Sequence, residues 1–143
     1  MKGEDARMAL PDDVRTLLQG RNFAHVATVL PDGGPHSVPV WVGVEGDRVV
    51  FFTQQSSRKA RNLEREPRVA ISIVDFENPY RTAQVRGRVA GRRTGDEALA
   101  VMDEISRKYT GEPFPVRGPD GVLYEIDVER AHYLGLPFRH ERL

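Results

Sequence analysis

Three short turn signals divide much of this chain into β-rich segments, and their shortness limits how those segments can be arranged. The turn sequences are PDGGP at 31–35, EGD at 45–47 and ENPY at 77–80. Each lies between segments rich in Val, Ile, Phe and Thr, a pattern typical of strands joined by turns. Connections this short allow only antiparallel pairing, because a parallel pair needs a crossover of a dozen or more residues. The sequence therefore predicts an antiparallel β fold.

The pattern predicts six strands, and the first three are expected to form a meander. Three short helices are predicted at 11–19, 56–66 and 96–109, the last from amphipathic spacing. Many strands in a small protein favour closure into a barrel, because closure removes unpaired edges. We therefore expect a mainly β protein in which one six-stranded antiparallel barrel domain spans 10–143, after a flexible extension at 1–9. The predicted strands are FAHVATVL, HSVPVWVGV, RVVFFTQ, RVAISIVDF, RTAQVRGRVAGR and VLYEIDVERAHYLGL.

Composition excludes several kinds of chemistry. The chain has no cysteine, which rules out disulfides, thiolate metal sites and cysteine nucleophiles. Its 21 Lys and Arg residues balance 21 Asp and Glu residues, so nothing favours a nucleic-acid partner. The four histidines lack metal-ligand spacing, and we expect no metal site. No apolar run reaches the roughly 18–20 residues that span a membrane, and residues 1–10 lack a signal peptide's apolar core, so we expect a cytoplasmic protein.

The charges of the predicted helix at 56–66 are arranged against its dipole. Arg58, Lys59 and Arg61 lie near the positive N-terminal end, and two glutamates lie near the negative end. Each such placement costs about 0.3–1 kcal/mol on an exposed helix. One explanation is a solvated helix with unoptimised charges. The other is a bound anion such as a phosphate, which free N–H groups, Arg and Lys would hold. Hydroxyl donors are available nearby on Thr53, Ser56 and Ser57.

The stretch VVFFTQQSSRKARNLEREPRVAISIVD resembles the flavin-binding segment of the pyridoxamine 5′-phosphate oxidase-like split β-barrel superfamily. That segment runs as a strand, Thr, two or three residues, Ser-Arg-Lys, a helix, an Asn/Asp/Glu-Pro pair and a strand. FAHVATVLPDGGPHSVPVWV is similar to the family's first hairpin, and AQVRGRVA to a later strand. The resemblance covers most of residues 10–134. It implies a split β-barrel of the FMN-binding type and a homodimer with two cofactor sites at the subunit interface.

The resemblance also implies which residues bind the cofactor. Arg58 and Lys59 would contact its phosphate, assisted by Ser57 and Thr53, and Arg61 would add positive charge for a negatively charged tail. Val40, Trp41 and Thr28 would lie near the ring system, and Gln84 would reach the ring or ribityl edge. Aromatic side chains of the long loop and the last strand, Phe114 and Tyr133, would close the site from the partner chain.

Residue patterns alone leave two of these assignments open. Trp41 also fits a position in the core, since it follows Pro39 in a predicted strand. Gln84, Arg86 and Arg88 also fit a solvated strand face. No serine-hydrolase or nucleotide-loop motif is present, and no catalytic residue is assigned.

Two sequence features bear on the choice of cofactor. The C-terminal Trp and Arg-Leu-x-Pro element of the true oxidases is not found, so vitamin B6 oxidation is not expected. NPYRTAQVRGRV resembles the actinobacterial branch that uses the 5-deazaflavin coenzyme F420, whose phosphodiester and oligoglutamate tail carry several negative charges. We therefore expect an F420-dependent oxidoreductase that transfers hydride to a small unsaturated or quinone-like substrate. An FMN-dependent oxidoreductase and a non-catalytic flavin carrier are the alternatives.

Overall fold

Seven antiparallel strands and three helices make up residues 7–141, the part of the chain that this computed structural model describes. The strands form one sheet in the order β2-β1-β5-β6-β7-β4-β3. The elements are α1 (Asp12–Gln19), β1 (Ala24–Val29), β2 (Pro35–Val40), β3 (Val42–Glu45), β4 (Arg48–Gln54), α2 (Arg58–Arg65), β5 (Arg68–Val74), β6 (Arg81–Arg93), α3 (Gly95–Thr110) and β7 (Gly121–Gly135).

The segment HSVPVWVGV, predicted as one strand, is divided at Trp41. β2 ends at Val40 and pairs with β1, whereas β3 begins at Val42 and pairs with β4. The predicted count of six strands and the predicted meander are therefore wrong. Valine recurs at every second position through this segment, so the local pattern carries no signal for the change of partner.

The division at Trp41 also determines the shape of the sheet. β2 and β3 are its two edge strands, and only Trp41 separates them in the chain. The sheet must therefore curl until its two edges meet at one residue. No ladder of hydrogen bonds joins these two described strands, so the sheet is a curled half-barrel. The prediction of a closed barrel is wrong in this respect, because the two edges of the sheet do not pair.

Two apolar cores hold the sheet and helices together. The inner face of β5 shows the predicted alternation, with Val69, Ile71 and Ile73 buried. The main core lies inside the curl and takes in the apolar sides of α1 and α2. A second core lies between α3 and the sheet, where Ile105 packs with Leu123. Amphipathic helices thus cover both faces of the sheet, as their 3.6-residue periodicity requires.

The chain before α1 is partly described. Most of the predicted flexible extension, residues 1–6, lies outside the described residues. Met8 donates its backbone N–H to the Val128 carbonyl at 2.7 Å, and its side chain packs against the main core. Among the helices of residues 7–141, none combines the length and the apolar character needed to cross a bilayer.

Candidate cofactor site

The start of α2 offers three free hydrogen-bond donors. Ser57 is the N-cap, and its Oγ accepts from the Ala60 N–H at 3.2 Å and from the Thr53 hydroxyl at 3.1 Å. Because Thr53 donates its hydroxyl hydrogen to Ser57, the Ser57 hydroxyl hydrogen is left for another acceptor. The backbone N–H groups of Arg58 and Lys59 have no acceptor among the described residues, as expected in the first turn of a helix. This arrangement suits an anion.

Ser56 does not join this donor set. Its hydroxyl donates to the Asp120 carboxylate at 2.8 Å, and the neighbouring Gln55 N–H donates to the Asp120 carbonyl at 2.7 Å. The predicted role of Ser56 as a phosphate donor is therefore not supported. Its contact instead anchors the end of the 111–120 loop to the turn before α2.

The two acids near the end of α2 have partners that explain their position. Glu64 accepts from the Tyr124 hydroxyl at 2.7 Å and pairs with Arg92 at 3.1 Å. Burial, and then the hydrogen bond to Glu64, raise the pKa of the Tyr124 phenol, which keeps it a donor. Glu66 pairs with Arg68 at 2.9 Å. Tertiary contacts therefore offset the unfavourable helix-dipole position of Glu64, and a local ion pair offsets that of Glu66.

The cations at the start of α2 have no such carboxylate partners. Within residues 7–141, none of Arg58, Lys59 and Arg61 forms an ion pair. The Lys59 ammonium is half-buried, and burial lowers its pKa. Arg61 is exposed. Three cations therefore lie near the positive end of a helix without carboxylate partners, and two of them, Arg58 and Lys59, are partly buried.

Asn62 lies behind the cations and was missed in the sequence. It is fully buried, it accepts a hydrogen bond from Arg58 Nε at 3.0 Å, and it donates one to Thr28 Oγ1 at 3.0 Å. The spacing of four residues from Arg58 placed both side chains on one helix face, which was the available signal. Thr28, predicted to lie near the ring system, is buried and holds this asparagine.

An aromatic cavity of about 470 Å³ lies beside Lys59. The Trp41 ring stacks on Tyr109, with centroids 5.2 Å apart and planes 7° from parallel. Phe114 meets Trp41 edge-on at 6.3 Å, so the long loop lines the cavity of its own protomer. The structure thus brings Val40 and Trp41 together with Lys59. The lining residues are Phe23, Pro39, Val40, Trp41, Phe52, Lys59 and Phe114.

The remaining predicted residues lie apart from this cavity. Thr28 lines a larger groove of about 950 Å³ that crosses β1, β5, β6 and β7. Gln84 is exposed on β6 and lines neither space, and Tyr133 packs against the main core. Residues 7–141 contain no group of three His, Asp or Glu side chains that could hold a metal ion.

Two residues of α3 hold the backbone next to Trp41, and no local pattern in the sequence marks them. Lys108 Nζ donates to the Val42 carbonyl at 2.5 Å and to the Leu18 carbonyl at 3.1 Å. The Tyr109 hydroxyl accepts from the Val42 N–H at 3.3 Å. Burial lowers the pKa of Lys108 to about 8. The position of Trp41 therefore depends on a helix more than 60 residues away in the chain.

Comparisons with known proteins agree with this architecture. A solved F420 reductase is 31% identical, with a TM-score of 0.76, over 86% of this chain and 98% of that one. An FMN-binding, pyridoxamine 5′-phosphate oxidase-related protein of Nostoc punctiforme shares the fold, at 17% identity and a TM-score of 0.61, over 80% of this chain and 74% of that one.

Sequence relatives point the same way. A pyridoxine/pyridoxamine 5′-phosphate oxidase of Roseobacter denitrificans is 36% identical over 88 residues, which cover 61% of this chain. The match spans only 43% of that relative's length. Residues 10–135 match the family model described as pyridoxamine 5′-phosphate oxidase. With the half-barrel and the Ser-Arg-Lys sequence at the start of α2, this match means that the chain belongs to the pyridoxamine 5′-phosphate oxidase family.

Proposed function

We propose that this chain is a coenzyme F420-dependent oxidoreductase, which transfers hydride between the deazaflavin and a small unsaturated or quinone-like substrate. The observation that carries the proposal is the pair Arg58 and Lys59, cations without carboxylate partners among the described residues, at a helix N-terminus beside an aromatic cavity. The 31% identity to a solved F420 reductase supports the deazaflavin over FMN.

The donors at the start of α2 fit the phosphate end of such a coenzyme. Two backbone N–H groups, the Ser57 hydroxyl and the terminal nitrogens of Arg58 can all donate to phosphate oxygens. Lys59 adds a point charge whose partial burial strengthens its attraction to an anion. Arg61, one helical turn beyond Ser57, adds a further exposed cation that would attract an acidic tail.

The aromatic cavity fits the ring end. Its volume and its aromatic lining, chiefly Trp41 and Phe52, suit a planar ring system. The reduced deazaflavin, when bound, supplies the hydride.

The proposal includes a homodimer, with Gln84 of a second copy completing the site. Gln84 is exposed on β6, and at the end of the same sheet face Val74 and Leu134 are exposed apolar residues on β5 and β7. Such a face is suited to pairing with another copy. Light scattering should give twice the chain mass, and a monomer at assay concentration would exclude the shared site. A cytoplasmic location and the absence of a nucleic-acid partner remain predictions.

Binding measurements test the cofactor. Trp41 is the chain's only tryptophan and lies in the cavity, so its fluorescence should be quenched when F420 or FMN binds. We expect F420 to bind more tightly, and tighter binding of FMN would overturn the choice of coenzyme. Arg58→Ala and Lys59→Ala should each weaken binding by roughly 1–3 kcal/mol. Arg107→Ala, which removes an exposed cation on α3, is the matched control. Wild-type affinity in both variants would exclude the phosphate site.

Turnover separates an enzyme from a carrier. Reduced F420 and a panel of quinones and enones should give oxidation of the coenzyme, followed by its absorbance. Tight binding of the coenzyme with no turnover across the panel would favour the carrier.

A further inference from the structure

We propose that Asn62 is a positioning residue for phosphate recognition, which holds the Arg58 guanidinium in the orientation that the anion requires. The inference rests on the phosphate site proposed above. It concerns a buried side chain that does not line the aromatic cavity and that reaches the start of α2 through its contact with Arg58.

The hydrogen bonds of Asn62 determine which way its amide faces. Arg58 Nε carries only a donor, so the Asn62 group at 3.0 Å from it must be the amide oxygen. The amide nitrogen then faces Thr28 Oγ1, also at 3.0 Å, and donates to it. Asn62 and Thr28 are 0% and 2% exposed, so neither group can turn to water instead. The three side chains form a continuous chain of hydrogen bonds from Thr28 on β1, through Asn62, to Arg58 at the start of α2.

This chain of hydrogen bonds determines which nitrogens of Arg58 are free to donate to a ligand. With Nε bound to Asn62, the two terminal nitrogens have no partner among the described residues. They form the edge of the guanidinium fork that pairs with two phosphate oxygens. An arginine tethered in advance loses less side-chain freedom when the anion binds, so tethering favours binding.

A purely structural role for Asn62 makes a different prediction. If Asn62 only ties α2 to β1, its removal should destabilise the protein and affect all ligands alike. If it positions Arg58, its removal should affect only ligands that carry the phosphate. Pairs of ligands with and without that phosphate therefore separate the two roles. Suitable pairs are F420 with its phosphate-free deazariboflavin core, and FMN with riboflavin.

Asn62→Ala should weaken binding of F420 or FMN by about 5- to 10-fold, the size of one ordinary hydrogen bond, because Arg58 keeps its charge and loses only the contact that orients it. Binding of the phosphate-free partner should change by less than about 2-fold. Leu63→Ala, at a buried apolar neighbour on α2, is the control for general loosening of the helix and should shift both members of a pair alike. Thr28→Val removes the hydroxyl that accepts from Asn62, and it should show the same selectivity. It replaces Asn62→Ala if that variant does not fold.

A double variant tests the coupling. In an Arg58→Ala background, Asn62→Ala should cause no further loss of affinity, and an additive loss would overturn the positioning role. If Arg58→Ala weakens binding while Asn62→Ala and Thr28→Val do not, only this inference is wrong. If Arg58→Ala itself has no effect, or if neither phosphate-bearing ligand binds the wild-type protein, the proposed function fails and the inference fails with it.

Discussion

Replacing Gly87 by alanine should destabilise the fold strongly, because backbone occupies the space that a side chain would need. A Cβ at this position would lie 1.9 Å from the Asp127 carbonyl oxygen, where real Cβ contacts essentially never fall below 3.0 Å. That oxygen belongs to the main chain of β7, next to the shift in register between Arg86 and Gly87, and it cannot rotate away. Overpacking costs about 1–3 kcal/mol where side chains can adjust. We expect about 3 kcal/mol here, and a melting temperature about 10 °C lower.

Gly91 on the same strand provides the control. A Cβ there would meet Glu125 Oε1 at 2.2 Å, but this atom is the far end of a flexible side chain. Gly91→Ala should therefore cost less than about 1 kcal/mol, since the carboxylate can move aside. Urea unfolding followed by Trp41 fluorescence and by circular dichroism measures both variants. Equal losses in the two variants, or a wild-type midpoint for Gly87→Ala, would refute the argument from backbone contact.

Two further predictions concern α3. The Asp103 carboxylate accepts from the Phe114 N–H at 3.0 Å and from Arg117 at 2.8 Å. Asp103→Ala should release the long loop, move Trp41 emission to longer wavelength and increase its quenching by acrylamide; an unchanged spectrum would contradict this. Lys108 has a pKa of about 8 in the folded protein, and about 10.4 is usual for an unfolded chain. The unfolded state therefore binds more protons between pH 8 and 10, so the free energy of unfolding should rise with pH across that window. Part of this rise should be missing in Lys108→Met. Urea unfolding at pH 7.5–10 gives the free energy of unfolding as a function of pH, and equal slopes in the wild-type protein and the variant would show that the burial of Lys108 has no such effect.

Local patterns in the sequence determined most of the secondary structure and the family. The three short turns required antiparallel neighbours, and the alternation in RVAISIVDF correctly identified the buried face of β5. A capping serine and a proline bounded the helix predicted at 56–66, which is observed at 58–65 with Ser57 as its N-cap. These signals are readable because each depends on residues a few positions apart.

The site shows the same division. The two cations at the start of α2 could be identified in the sequence because Arg58 and Lys59 directly follow the capping serine. Cations at that end of a helix are unfavourable unless an anion binds there. The four-residue spacing of Arg58 and Asn62 was readable too, but the contact of Asn62 with Thr28 was not, because it joins residues 34 positions apart. The residues around a buried asparagine in a helix do not indicate which distant side chain it will bond to.

Tertiary structure alone decided how the sheet ends and where the cavity lies. Trp41 divides one apolar segment between the two edges of the sheet, because the curl brings β1 and β4 within reach of its two halves. Lys108 and Tyr109 then hold the backbone beside it from 66 and 67 positions away. Pairings at such separations depend on the closure of the whole sheet, and a pattern that repeats every two or every 3.6 residues cannot specify them.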